Sequence, residues 1–215
     1  MSVGDDMLVK VWDAGSGKLV ASFSGHEPKT HEGFLSALYA LAVSPDGKHA
    51  ASGDRAGFVR VWDLAARKQI ATFRAADFYT FDAQKRARAI GGIRGLAFSP
   101  DSSRLAISGI GPVTNVDGFV GPCRIDLWDW KAAKRVAVGQ DKHQAILNHV
   151  TFTADGKWLI AAGGGDGGGA LVFWPGNDTA PYVAKPKGHL HTFAIGAELR
   201  LSAAGHGGFQ VWQLG

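Results

Sequence analysis

Phe58-Val59-Arg60-Val61-Trp62-Asp63 decides how the rest of the chain is read. It is an apolar run broken once by a cation and closed by a tryptophan. A largely apolar run ending in tryptophan returns as Val9-Lys10-Val11-Trp12-Asp13, Ile125-Asp126-Leu127-Trp128-Asp129, Leu171-Val172-Phe173-Trp174 and Phe209-Gln210-Val211-Trp212. Arg60 among apolar neighbours gives a period of two, the pattern of a strand with one wetter side. The tryptophans recur at intervals of 50, 66, 46 and 38 residues, so the chain is an internal repeat with insertions of unequal length.

A second signal lies upstream of three of these runs. Ser44-Pro45-Asp46-Gly47, Ser99-Pro100-Asp101-Ser102 and Thr153-Ala154-Asp155-Gly156 follow one another at 55 and 54 residues. Proline presets φ, and an Asp-Gly pair supplies the residues of a tight hairpin. In the second unit these signals predict four short strands, over 38–43, 49–53, 58–63 and 69–73. No segment keeps a helical period over three turns. Thirty glycines among 215 residues, about twice the average share of roughly 7%, fit a fold made of many turns.

Trp-Asp closes the third strand three times (Trp12-Asp13, Trp62-Asp63, Trp128-Asp129), and Gly-His precedes the first strand twice (Gly25-His26, Gly188-His189). With the Ser-Pro-Asp-Gly turn, these motifs make the chain resemble the WD-repeat β-propeller family over nearly its whole length. The resemblance implies an all-β propeller of four-stranded antiparallel blades, about three complete and two partial. It divides the chain into a partial blade over 1–25, blades over 26–75, 93–140 and 145–186, and a partial blade over 188–215. The physical reason for such an array is that a small sheet cannot bury both faces alone, whereas stacked blades bury each other's. The chain opens in the middle of a blade, so the expectation is the C-terminal part of a larger propeller. An open arc would leave sheet edges and an apolar face free for self-association.

The resemblance also implies a buried tetrad linking His of Gly-His, a second-strand Ser or Thr, a turn Asp and the Trp. His26, Ser52 and Trp62 match in the second unit, but the Asp position holds Ala56, with Asp54 nearby. His189, Ser202 and Trp212 match in the last unit, with His206 at the Asp position; the first unit contributes Asp6 and Trp12. No unit is complete at standard spacing, which predicts looser blades.

Catalytic signals are weak. No Gly-x-Ser-x-Gly elbow occurs, the His26–Ser52 pairing is structural in the family, and Cys123 stands alone without metal-type spacing. His189 and His191 share a strand face, yet the motif already accounts for His189. The reading is therefore a non-enzyme without metal or cofactor. Asp166, within the glycine run 163–169, reads as part of a flexible hairpin loop. The N-terminus has no apolar signal region, and no apolar run approaches the roughly 18 residues of a membrane span. Together these point to a cytoplasmic protein.

Function is expected in the insertions, since long loops on a rigid scaffold carry binding. The stretch 75–92 holds Phe78, Tyr79, Phe81, Lys85, Arg86 and Arg88; the stretch 110–122 holds Phe119; a short charged insertion spans 27–33. Aromatic residues and arginine are the types enriched at interface hot spots. The expected function is a scaffold binding protein or peptide partners through loops sharing one propeller face. The alternative is nucleic-acid or anionic-ligand binding through the basic segment 85–88, which a net charge of only +4 does not favour. A second alternative is a propeller enzyme with its site at the channel mouth.

Overall fold

A computed structural model describes residues 1–83, 87–117, 120–165, 168–177, 179–197 and 200–214. Every long element in it is a strand. β1 (Val9–Trp12) and β2 (Leu19–Phe23) form a two-stranded sheet. β3 (Leu38–Val43), β4 (His49–Asp54), β5 (Phe58–Asp63) and β6 (Lys68–Arg74) form the first four-stranded sheet, with all neighbours antiparallel. A hairpin of β7 (Tyr79–Asp82) and β8 (Arg88–Gly91) interrupts the series. The next sheet is β9 (Ile93–Phe98), β10 (Leu105–Ile110), β11 (Pro122–Asp129) and β12 (Lys134–Gln144). Then follow β13 (Ile146–Phe152), β14 (Leu159–Gly165), β15 (Gly168–Trp174) and β16 (Tyr182–Ala184), and a three-stranded sheet of β17 (Leu190–Ile195), β18 (Arg200–Gly205) and β19 (Gly208–Gln213). The hairpin is the one pair the sequence reading did not foresee; its residues were expected to be loop.

The repeated motifs owe their recurrence to local hydrogen bonding. At the first turn Ser44 Oγ donates to Asp46 Oδ1 (2.5 Å), and Asp46 Oδ1 accepts the Lys48 amide (3.0 Å). Ser99 with Asp101 and Thr153 with Asp155 repeat that arrangement at 2.6 Å each. The residue after the Asp turns left-handed, at φ 70° for Gly47, 71° for Gly156 and 60° for Ser102. Only glycine takes that conformation without steric cost, so Ser102 carries strain that its two counterparts avoid. The Asp after each Trp has its own role. Asp13, Asp63 and Asp129 accept the amides of Ser16, Ala66 and Ala132 at 2.7, 2.7 and 3.0 Å, closing the turn into the fourth strand.

The apolar faces pack sheet on sheet. Val59, Val61 and Phe73 of one blade meet Ile93, Phe98, Leu105 and Trp128 of the next, with Phe73 stacked on Trp128 at 4.5 Å. Ile125, Leu127 and Ala137 meet Leu147, Val150, Leu159 and Trp174 across the following interface. Gly139 makes room there, since a Cβ on it would lie 2.5 Å from the Trp174 ring. Ile160, Ala162 and Leu171 meet Leu190, Phe193 and Leu201 across the last. The first strands of successive blades contact in the series β3, β9, β13, β17, which places them innermost. The outer face of the last sheet stays open: Phe209 is 67% exposed and Val211 41%.

The glycine run departs from expectation. Gly163, Gly164 and Gly165 pair with Ala170, Gly169 and Gly168, so they are strand residues and not a loop. The reason is close approach. A Cβ at Gly163 would lie 1.8 Å from the Ile146 carbonyl oxygen, and one at Gly169 would lie 2.3 Å from the Gly188 oxygen. Asp166 and Gly167 lie outside the described residues.

Candidate binding face

Within antiparallel blades, the connection from second to third strand and the connection to the next blade open at the same end. Residues 55–57 and 111–121 belong to the first kind, and 24–37 and 75–92 to the second. Side chains tie these segments together. Arg55 donates to the Leu35 carbonyl (3.1 Å) and the Ala89 carbonyl (2.9 Å), joining one inter-blade insertion to the other. Tyr79 donates its hydroxyl to Glu32 Oε2 (2.5 Å), and the Phe34 and Phe81 rings lie 5.9 Å apart. Burial raises the Tyr79 phenol above its ordinary pKa, with the Glu32 carboxylate adding to the shift, so Tyr79 stays a donor. The Val113 amide donates to Thr80 Oγ1 (3.0 Å), and Arg88 pairs with Asp117 at 3.0 Å. Ile90, Ile110 and Val113 form a small core beneath. Three insertions from different blades thus form one surface.

The root of the β7–β8 hairpin is fixed by a charge network. Arg124 lies between the carboxylates of Asp126 (2.7 Å) and Asp77 (2.6 Å), and Arg135 bonds the same Asp77 oxygen at 2.6 Å. Asp126 is fully buried; burial pushes its carboxyl pKa upward, against the opposing pull of Arg124 and Arg135. Asp77 precedes Phe78, and the Arg124 guanidinium stands 5.7 Å over the Phe78 ring. Sequence reasoning missed this network. The available signal was Arg124 and Asp126, two opposite charges at i and i+2 on a strand otherwise read as apolar.

The residues singled out from sequence divide accordingly. Phe78, 1% exposed, is a core residue that cannot reach a partner, because its ring packs where Gly109 has no side chain; a Cβ there would lie 2.9 Å from it. Tyr79, Phe81 and Arg88 lie on the shared surface. Lys85, Arg86 and Phe119 fall outside the described residues. Arg55, Arg94 and Tyr39, which sequence reasoning did not select, line a hollow of about 570 Å³ together with Phe34, Arg88 and Ile90.

The tetrad positions also diverge. The His26 ring is buried, with Nδ1 2.8 Å from Asp54 Oδ2 and Nε2 2.8 Å from Ser52 Oγ. Trp62 Nε1 donates to the same Ser52 oxygen at 2.9 Å. Asp54 is therefore the acid of this blade, two residues ahead of Ala56. An ionised carboxylate only accepts, so the relay runs from Trp62 N–H to Ser52 O–H to His26 Nε2, and from His26 Nδ1–H to Asp54. Asp54 Oδ1 also accepts the Phe58 amide at 2.9 Å. Blade two is thus tightly bonded, contrary to the looseness expected of it.

The other units use other partners. Asp6 is exposed and pairs with Lys10, and Trp12 donates to Ser2 Oγ at 2.9 Å, so these two join no tetrad. His189 Nε2 lies 2.5 Å from Asn148 Nδ2 and not against Ser202; Trp212 is half-buried against the last core cluster. His189, His191 and His206 form a cluster with ring centroids 4.7 to 5.5 Å apart. Among the described residues no group of three or more His, Cys, Asp or Glu side chains is placed to hold a metal ion. Cys123 is buried, and burial pushes its thiol up to about 11, which keeps it from acting as a thiolate near neutral pH. Among the described residues no helix is long and apolar enough to cross a membrane.

Comparison with known proteins agrees with this geometry. Residues 17–63 match the family model described as WD domain, G-beta repeat. The chain is 28% identical over 161 residues to MST50-interacting protein 11 of Pyricularia oryzae, covering 75% of this chain and 43% of that protein. It is 38% identical over 77 residues to small ribosomal subunit protein RACK1 of Neurospora crassa, covering 36% of this chain and 22% of that one. The chain therefore spans less than half the length of these relatives. The solved structure of U3-55K superposes on 99% of the chain with a TM-score of 0.71 at 19% identity, using 56% of its own length. The chain is thus similar to WD-repeat proteins, with one WD-repeat match at 17–63, and it folds as blades of a β-propeller.

Proposed function

We propose that this chain is a protein-interaction scaffold that receives a protein or peptide segment on the face built by residues 27–35, 79–83, 87–91 and 111–117. One observation carries the reading. Insertions from three different blades are drawn together by Arg55, Tyr79, Arg88 and Val113 into one surface with a hollow at its centre. The surface offers the chemistry of a peptide site: arginine and aromatic side chains beside exposed Leu35 and half-buried Phe34, on a frame that needs little reorganisation. Preorganisation lowers the entropy lost on binding, which favours recognition by a rigid frame. The relatives' names, an interacting protein and a ribosomal subunit protein, are those of proteins that work in assemblies.

The test is selection of a displayed peptide library on the purified chain, followed by rebinding to two surface variants. Tyr39→Ala alters the insertion face and Trp158→Ala the opposite end. The scaffold reading expects enriched peptides that lose binding to the first variant and keep it to the second. Peptides that respond only to Trp158→Ala would place the binding surface at the other end and overturn the reading.

A further inference from the structure

We propose that the hollow bounded by Arg55, Arg88 and Arg94 is an oxyanion receptor, built to take a carboxylate or phosphate group carried on the partner segment. The proposal rests on the peptide-binding reading above for the source of the anion, but the receptor itself is testable without it.

Three guanidinium groups line one hollow. Arg55 spends its donors on the Leu35 and Ala89 carbonyls. The Arg94 guanidinium lies over the Tyr39 ring, 4.1 Å from its centroid, and among the described residues its one hydrogen bond is a long one, 3.4 Å to the Gly91 carbonyl. Among the described residues its Nε is buried with no partner. Among the described residues no carboxylate forms an ion pair with Arg55 or Arg94; Asp117 pairs with Arg88 at the rim. Burial and the neighbouring Arg55 charge both lower the Arg94 pKa, the sign of a cation whose charge the fold leaves uncompensated. A partly buried guanidinium that no carboxylate balances costs free energy unless an anion approaches it, and two oxygens of a carboxylate or phosphate accept a pair of its donors at once. Tyr39 orients the fork by stacking, which a lysine at position 94 would not exploit.

The walls argue for an anion on a peptide over a nucleic-acid backbone. Phe34, Ile90 and Val116 line the same hollow, so a single charged group with apolar neighbours fits it. Asp117 lines it as well, and its carboxylate would repel a continuous row of phosphates.

The experiment is calorimetric titration of the chain with inorganic phosphate at low ionic strength, alongside Arg94→Met and Arg88→Gln. The second variant changes an exposed side chain and leaves the core intact. Phosphate is expected to bind the parent chain in the millimolar range, with Arg94→Met weakening it about tenfold and Arg88→Gln less, as for loss of a charge-assisted donor. Selected peptides are expected to lose about tenfold when a glutamate or phosphoserine is made neutral, which separates the carboxylate from the phosphate source. No phosphate binding, or binding unchanged in both variants, would overturn the receptor while leaving the scaffold reading intact. Phosphate binding sensitive to Arg94 with no selectable peptide would sustain the receptor and overturn the scaffold. Displacement of phosphate by a single-stranded oligonucleotide with a steep salt dependence would overturn the peptide as its source.

Discussion

Replacing Asp54 with alanine tests the hydrogen-bond relay of blade two. The carboxylate is buried and serves two donors, His26 Nδ1–H at 2.8 Å and the Phe58 amide at 2.9 Å. Truncation leaves both without an acceptor, in a site that excludes the water that would otherwise replace it. A buried donor left unsatisfied costs about 1–3 kcal/mol, more when the lost partner is charged. Two of them give about 4 kcal/mol, reduced by whatever relaxation admits water. For a chain of this size that is about 8–16 °C in Tm, at about 2–4 °C per kcal/mol. The assay is urea and thermal unfolding of the parent, Asp54→Ala, Asp54→Asn and Asp6→Ala. The asparagine keeps an acceptor oxygen and is expected to cost about half as much. Asp6 is exposed, and its removal is expected to change stability by less than about 0.5 kcal/mol. A loss under about 1 kcal/mol for Asp54→Ala, or equal losses for Asp54→Ala and Asp6→Ala, would refute the relay.

Ser102→Gly is expected to stabilise the chain by about 1 kcal/mol, because it relieves a left-handed residue at φ 60° and removes a buried hydroxyl that has no partner; urea midpoints would show it. Gly163→Ala drives a methyl group onto the Ile146 carbonyl and is expected to cost about 3 kcal/mol or to prevent folding, read by yield and melting temperature. Acidification is expected to destabilise the last two blades. His149 is shifted below 6.5 by burial, and His189 by burial and then by His191 and His206, so the unfolded chain takes up these protons first. Stability falls as pH drops below 6.5 towards the lower folded values, and melts at pH 7.5 and 5.5 should differ less in a His149→Asn, His189→Asn double variant. The open face bearing Phe209 and Val211 is expected to drive self-association at micromolar concentration; Phe209→Lys with Val211→Lys should shift light scattering towards the monomer.

Much of the fold was legible because it is written locally. Strand periodicity, the Asp-centred turns and the Trp-ended strands each specify a few neighbouring residues, and they recur. The third-strand bounds Phe58–Asp63 come directly from that pattern. What escaped depends on contacts between distant segments. Gly163 to Gly165 look like a loop in isolation and become strand only because β13 and the 186–189 segment pass so close. Phe78 looks like an exposed aromatic until Gly109, on another strand, clears room for its ring. Asp54 could not be chosen over Ala56 by counting, since the distance from acid to His26 is set by how the turn at 54–57 folds. Arg94 reads as an ordinary strand residue, and only the placement of Tyr39 and Arg55 from another blade makes it part of a site.

The convergence of three insertions into one binding face is tested most directly by hydrogen–deuterium exchange of the chain with and without a selected peptide. Binding should slow exchange together in 27–35, 79–83, 87–91 and 111–117 and leave the turns at 44–48, 99–104 and 153–158 unchanged. Protection confined to those turns, or to one insertion alone, would contradict a face assembled from all three.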